Sequence, residues 1–239
     1  MVRQLFSSGF SRESIIMLLL SLPVILFSLS LHETAHGYVA YKLGDRTAYN
    51  LGRLTLNPAK HIDPIGFLMM MIAGFGWAKP VPINSRNFRN PRVGMALTGA
   101  AGPLSNLLLA LLNVIFLRLS YEFLWLKFGG SRFAVYIRIL MLFLYIAISL
   151  NITLAVFNLL PVPPLDGSRI FYVFLPTKIY FGIMKYEKII SIVLLALLFF
   201  GVLSGLIFIL SDWLMAGMFS IVGLSNEDFF NILIAIFSP

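Results

Sequence analysis

This chain has 239 residues, 59% of them hydrophobic and only 12% charged, with a mean hydropathy of +0.91; a soluble domain carries ~25% charged residues, so the composition reads as a polytopic membrane protein. Its 18 Lys and Arg against 10 Asp and Glu give a formal charge of +8, which suits membrane topology and anionic head groups better than nucleic acid, for which no binding motif is present. Cysteine is absent, which excludes disulfides and thiol catalysis and leaves His and carboxylates as the available metal ligands.

The first apolar run spans Ser14 to Tyr41, and its first part, Ser14 to Leu31, carries no formal charge. It is not read as a cleavable signal peptide, because its loss would remove or expose the polar residues that follow it. Pro23 falls inside this run and predicts a kink. Further runs at Val93 to Leu117, Phe133 to Leu160 and Ile189 to Leu210 each exceed the ~20 residues that cross a hydrocarbon core. A last run from Trp213 is broken by Ser225-Asn226-Glu227-Asp228, giving one imperfect span or two short interfacial helices.

The expected fold is therefore an all-α polytopic membrane protein of about five membrane segments around a three-helix core. Between the first two helices, Leu51 to Leu56 alternates enough for a short β element. The apolar piece Pro64 to Trp77 is too short to cross and predicts a re-entrant hairpin or loop. One domain over 1–239 is expected, with its core at about 14–170 and accessory helices at about 189–239.

Basic residues orient the chain. An outside N-terminus places Lys42, Arg46, Arg53, Lys60, Lys79, Arg86, Arg89, Arg92, Arg169, Lys178, Lys185 and Lys188 inside. Arg3, Arg12, Arg118, Lys127, Arg132 and Arg138 then lie outside. That imbalance predicts a cytoplasmic location for the segments after His36 and after Asp166.

The chemistry sits at the end of the first run, in His32-Glu33-Thr34-Ala35-His36. On a helix, two histidines four residues apart share a face and can share one metal ion. Glu33 beside them is placed to take a proton from water activated there. Catalytic zinc takes three protein ligands, so one more is needed. Most acidic residues sit at predicted helix ends or loops, and His61 lies in the polar inner segment. Asp166 differs, because it follows the third long apolar run in Asn158-Leu159-Leu160-Pro161-Val162-Pro163-Pro164-Leu165-Asp166-Gly167. A carboxylate at membrane depth is unfavourable without a cation, and an ion held by His32 and His36 would be that cation. His61 as third ligand, and Asp166 as a plain turn residue, are the alternatives.

The pairing of His-Glu-x-x-His with Asn-x-x-Pro-x-Pro-x-Leu-Asp-Gly resembles the site-2 protease family of intramembrane zinc metalloproteases. Gly99-Ala100-Ala101-Gly102-Pro103-Leu104-Ser105-Asn106 looks like that family's Gly-Pro-x-x-Asn stretch. The segments Asn57 to Pro64 and Gly76 to Pro82 resemble its compact prokaryotic branch. The likeness runs from about Ser30 to Arg169.

The resemblance implies one Zn²⁺ on His32, His36 and Asp166, with Glu33 as general base. Asn158, and Asn106 in the middle motif, would be substrate contacts. It implies cleavage of a single-span membrane protein or a signal-peptide remnant within the lipid bilayer, with no nucleic acid involved. No PDZ or CBS segment is found, so the expectation is a minimal core. Three other functions compete: a membrane metal-ion transporter, a membrane zinc protease using Glu122 or Glu187 as third ligand, and a non-catalytic metal-binding membrane protein. Asn106 and Asn158 also read as helix-packing amides. The Gly66 to Trp77 piece would serve as a gate or docking edge for an extended substrate.

Overall fold

The structure, a computed structural model, describes residues 12–73, 76–176, 179, 182–183 and 185–237. Three long helices form its centre: α1 (Arg12–Lys42), α3 (Pro91–Leu119) and α4 (Ala134–Leu159). A ten-residue helix α2 (Pro64–Ala73) lies in the connector between α1 and α3.

In lipid the hydrophobic effect does not drive helices together, so close packing through small residues and polar contacts must hold them. The residues supply this. In α1 the buried positions Val24, Ser28, His32, His36 and Ala40 recur every fourth residue, one stripe down one face. Facing it, α3 buries Gly94, Thr98, Gly102, Asn106, Ala110 and Val114, again at every fourth residue and nearly all small. Farther along, α3 and α4 share an apolar core of Val114, Leu117, Met141, Leu144, Ile148 and Ile152. The helix α1 runs on through Pro23.

Beyond α3 the helix continues through a π-helical stretch, Ser120–Trp125, as far as Phe128, and the chain then turns and returns as α4. A six-residue helix α5 (Asp166–Phe171) follows α4 and packs on α3. Three more helices complete the described chain: α6 (Glu187–Phe199), α7 (Ser204–Ile221) and α8 (Asn226–Phe237). The last two close over the α3–α4 core through Met215, Phe219, Ile232 and Ile236. Arg118 ties this cap down, donating to the Val222 carbonyl and pairing with Glu122 at 2.7 Å.

Among the described residues four helices are long and apolar enough to cross a membrane: Ile15–Lys42, Pro91–Phe128, Ala134–Leu159 and Ser204–Ile221. The expected count of five is not reproduced. The run Ile189 to Leu210 is two helices, because Gly201, at φ +73°, turns the chain between α6 and α7. Thirteen residues of α6 reach only ~20 Å, short of the hydrocarbon core. The final run is likewise divided: Ser225 and Asp228 cap the start of α8, the Ser225 N–H donating to Asp228 Oδ2 at 2.9 Å and the Asp228 N–H to Ser225 Oγ at 3.1 Å.

The connector from Gly44 to Asn90 is irregular. No strand forms among the described residues; the alternation at Leu51 to Leu56 finds no partner strand. One isolated antiparallel bridge, Ile62 to Ala78, is the β pairing present there. Asparagines organise the connector: Asn57, Asn84 and Asn90 each accept a backbone N–H at the start of the following helical turn. Of the expected re-entrant piece, Pro64–Ala73 is helix, and Gly74 and Phe75 lie outside the described residues.

Candidate metal centre

His32 and His36 lie one turn apart on the face that α1 presses against α3, and α5 begins with Asp166 on the same face of α3. The result is a cluster of three buried ligand groups. His36 Nε2 lies 3.0 Å from His32 Nε2, and Asp166 Oδ2 lies 3.1 Å from each of them.

The other ring nitrogens fix what faces inward. His36 Nδ1 donates to the Thr98 carbonyl at 2.6 Å, and His32 Nδ1 donates to Asn106 Oδ1 at 3.0 Å. With both protons on Nδ1, the two Nε2 atoms present lone pairs. In the neutral Nδ1–H tautomer two imidazole lone pairs and a carboxylate oxygen converge, a set that fits a cation at their centre. A tetrahedral ion with ligand distances of about 2.0–2.1 Å sets neighbouring donors ~3.3 Å apart, close to the spacing seen. Two nitrogens and one oxygen from three residues form the donor set of catalytic zinc, with a fourth position left open. The outer partners Asn106 and Thr98 complete the arrangement by fixing ring orientation.

Gly102 lets α3 come this close. A Cβ there would lie 2.4 Å from His36 Nε2 and 2.6 Å from His32 Cε1.

A cavity of about 660 Å³ opens beside the cluster, walled by α1 and α4 and, across from them, by Leu194, Leu198 and Ile207 of α6 and α7. Its walls are mostly apolar. Near the cluster they carry Glu33, Asn158, Asp166 and Arg169. Glu33 is half-buried, and its Oε2 accepts the Val81 backbone N–H at 2.8 Å. Asn158 faces the cavity and spends one N–H on the Leu154 carbonyl at 2.9 Å.

The structure therefore joins His32, His36 and Asp166, with Glu33 and Asn158 on the adjoining wall. Asn106 lies elsewhere, fully buried behind His32 and outside the cavity lining. His61 does not join the cluster; its Nε2 bonds the Thr55 carbonyl at 2.7 Å. Three participants escaped sequence reading. Thr98 and Val81 act through backbone atoms, which residue identity does not announce. Arg169, read as a topological charge, lies 4.0 Å from Asp166 Oδ1 and lines the cavity.

Residues 131–203 match peptidase family M50. A relative named "Putative zinc metalloprotease YwhC" in Bacillus subtilis is 49% identical over 146 residues, covering 61% of this chain and 64% of that protein. The similarity to family M50 rests on residues 131–203. M50 is the site-2 protease family that the motifs resemble, and the four apolar helices among the described residues mark the chain as an integral membrane protein by their length and composition. The Mycobacterium tuberculosis protein named "Putative zinc metalloprotease Rip2" is 29% identical over 210 residues, 84% of this chain and 73% of its own. "Zinc metalloprotease MJ0392" of Methanocaldococcus jannaschii is 29% identical over 186 residues, 76% of this chain and 42% of its own. The chain thus spans less than two thirds of the Bacillus relative and under half of the archaeal one. No solved structure matches it.

Proposed function

We propose that this chain is a member of family M50 and an intramembrane zinc metalloprotease that hydrolyses peptide bonds in or near membrane spans. The convergence of His32 Nε2, His36 Nε2 and Asp166 Oδ2 within 3.1 Å, beside a carboxylate-bearing cavity, carries the reading. Zinc held there supplies Lewis-acid chemistry, making water nucleophilic near pH 7 and polarising a peptide carbonyl.

The chain's own groups do the rest. Glu33 accepts the proton of the attacking water and returns it to the leaving nitrogen. Asn158 projects an amide where a substrate backbone would lie. Asn106 and the Thr98 carbonyl hold the Nδ1 protons of both rings and so aim the two Nε2 atoms inward. We read Asn106 as a support for His32 and reserve substrate contact for Asn158.

The apolar walls fit a substrate delivered from the bilayer, a single-span protein or a signal-peptide remnant. Its helix must open first, because helical carbonyls are already hydrogen-bonded. All the ligands sit toward the end of the helices that carries the connector and its basic residues, which supports a cytoplasmic-side site in the cell membrane. Residues 14–170 supply every proposed catalytic group and form the core in this reading.

The test is Glu33→Gln in purified protein. The variant is expected to retain one zinc per chain while losing about 10²–10⁴-fold in cleavage of a single-span substrate. Full cleavage by the variant, or no zinc in the wild type, overturns the proposal.

A further inference from the structure

We infer that the backbone N–H of Val81, held in a proline-flanked clamp anchored by Arg53, is the group that positions the Glu33 carboxylate; the inference rests on reading Glu33 as the base. The clamp is Lys79-Pro80-Val81-Pro82. Proline has no N–H, so Val81 offers the one donor between Pro80 and Pro82. That donor goes to Glu33 Oε2 at 2.8 Å.

The clamp is tied on both sides. The Lys79 N–H donates to the His61 carbonyl at 2.8 Å, next to the Ile62–Ala78 bridge. Arg53 Nη2 donates to the Lys79 carbonyl at 2.8 Å and the Pro80 carbonyl at 3.3 Å. Downstream, the Asn84 N–H meets Asp45 Oδ2 at 2.7 Å.

The side chain of Val81 is buried against α1. A Cβ on Gly37, one turn beyond Glu33, would lie 3.1 Å from Val81 Cγ1, so the glycine leaves room for this approach. With the prolines fixing φ on either side, the N–H points at the carboxylate before any substrate arrives. Glutamate otherwise has three free side-chain torsions. Fixing one oxygen leaves the other, in the cavity wall, to exchange the proton. A base held in attack geometry needs no search at the moment of reaction.

The experiment compares Val81→Ala, which keeps the N–H, with Val81→Pro, which removes it, in zinc-loaded protein. Three readouts are taken: zinc content, the kcat and KM for a single-span substrate, and the affinity for a peptide hydroxamate, whose hydroxyl proton needs a nearby carboxylate. V81P is expected to hold zinc as V81A does. Its kcat should be about 10- to 100-fold below that of V81A, its KM within about twofold, and its hydroxamate binding about tenfold weaker. Replacing Val81 by its α-hydroxy acid, which swaps N–H for an ester oxygen without a ring, decides the matter if V81P does not fold. Arg53→Gln should reproduce part of the kcat loss and Arg53→Lys should recover some of it.

Equal kcat and equal hydroxamate affinity in V81A and in the N–H-deficient proteins overturn the clamp. If zinc-loaded wild type cleaves nothing, the protease reading fails instead, and hydroxamate affinity still tests the clamp.

Discussion

Gly102 occupies a position where any side chain would enter the candidate metal centre, its Cβ falling 2.4 Å from His36 Nε2. Gly102→Ala should therefore push His36 off the cluster and weaken zinc at least tenfold, as measured by competition with a chelator. Asn106 acts one layer out, on His32 Nδ1. Asn106→Ala should lower zinc affinity about 10- to 100-fold without placing any new atom in the cavity. These roles differ in legibility. The histidine pair and Glu33 are visible because their chemistry and their spacing are in the same five letters. Asn106 is visible as a motif residue, but whether its amide faces the cavity or a ring depends on the rotation of α3. Thr98 was invisible, since a carbonyl belongs to every residue.

The connector between α1 and α3 shows what a single buried carboxylate does for an element. Asp45 is fully buried and accepts from Thr47 Oγ1, the Thr47 and Asn84 N–H groups, and Asn87 Nδ2. Burial pushes its carboxyl up, but those hydrogen bonds outweigh it and hold the pKa below the usual value. A carboxyl with a depressed folded-state pKa adds stability above its unfolded value, about 3.9, and loses it as pH falls through the lower folded value. Asp45→Asn turns donors against donors and should cost about 1–3 kcal/mol at pH 7. It should also flatten the acid-side fall in melting temperature below pH 4, which thermal unfolding in detergent measures. Hydropathy located the helices of the core well, because a span needs a long apolar run whatever it packs on. It missed the break at Gly201, since averaging over a window hides one glycine between two apolar stretches. The strand expected at 51–56 failed for another reason: alternation marks a two-sided surface, and a strand needs a second strand to pair with.

At the scale of the molecule, α3 is the shared wall: α1 packs on one side, α4 on another, and α5 brings Asp166 to the face that receives the histidines. The orientation proposed from charge bias has the connector on the cytoplasmic side and the turn after Phe128 outside. The cysteine-free sequence makes this testable with single labels. Asn50→Cys and Gly130→Cys both lie at exposed positions, and a Cβ at Gly130 meets nothing within 4 Å. An impermeant maleimide should label G130C on intact cells and N50C only after the membrane is opened. The reverse pattern would invert the topology and move the metal centre to the outer face.

By itself the sequence determined the membrane class, the three central helices and the candidate ligand pair His32 and His36, because length, hydropathy and ligand chemistry are properties of local runs and residue types. It favoured Asp166 over His61 as the third candidate ligand. Only the tertiary structure shows the placement, bringing Asp166 across 134 residues to within 3.1 Å of His32 while His61 turns to the Thr55 carbonyl. The same packing decided which wall faces the cavity, where the C-terminal spans divide, and which backbone amide meets Glu33. These depend on how helices rotate and dock against small residues, and that rotation is settled by contacts between segments far apart in the chain.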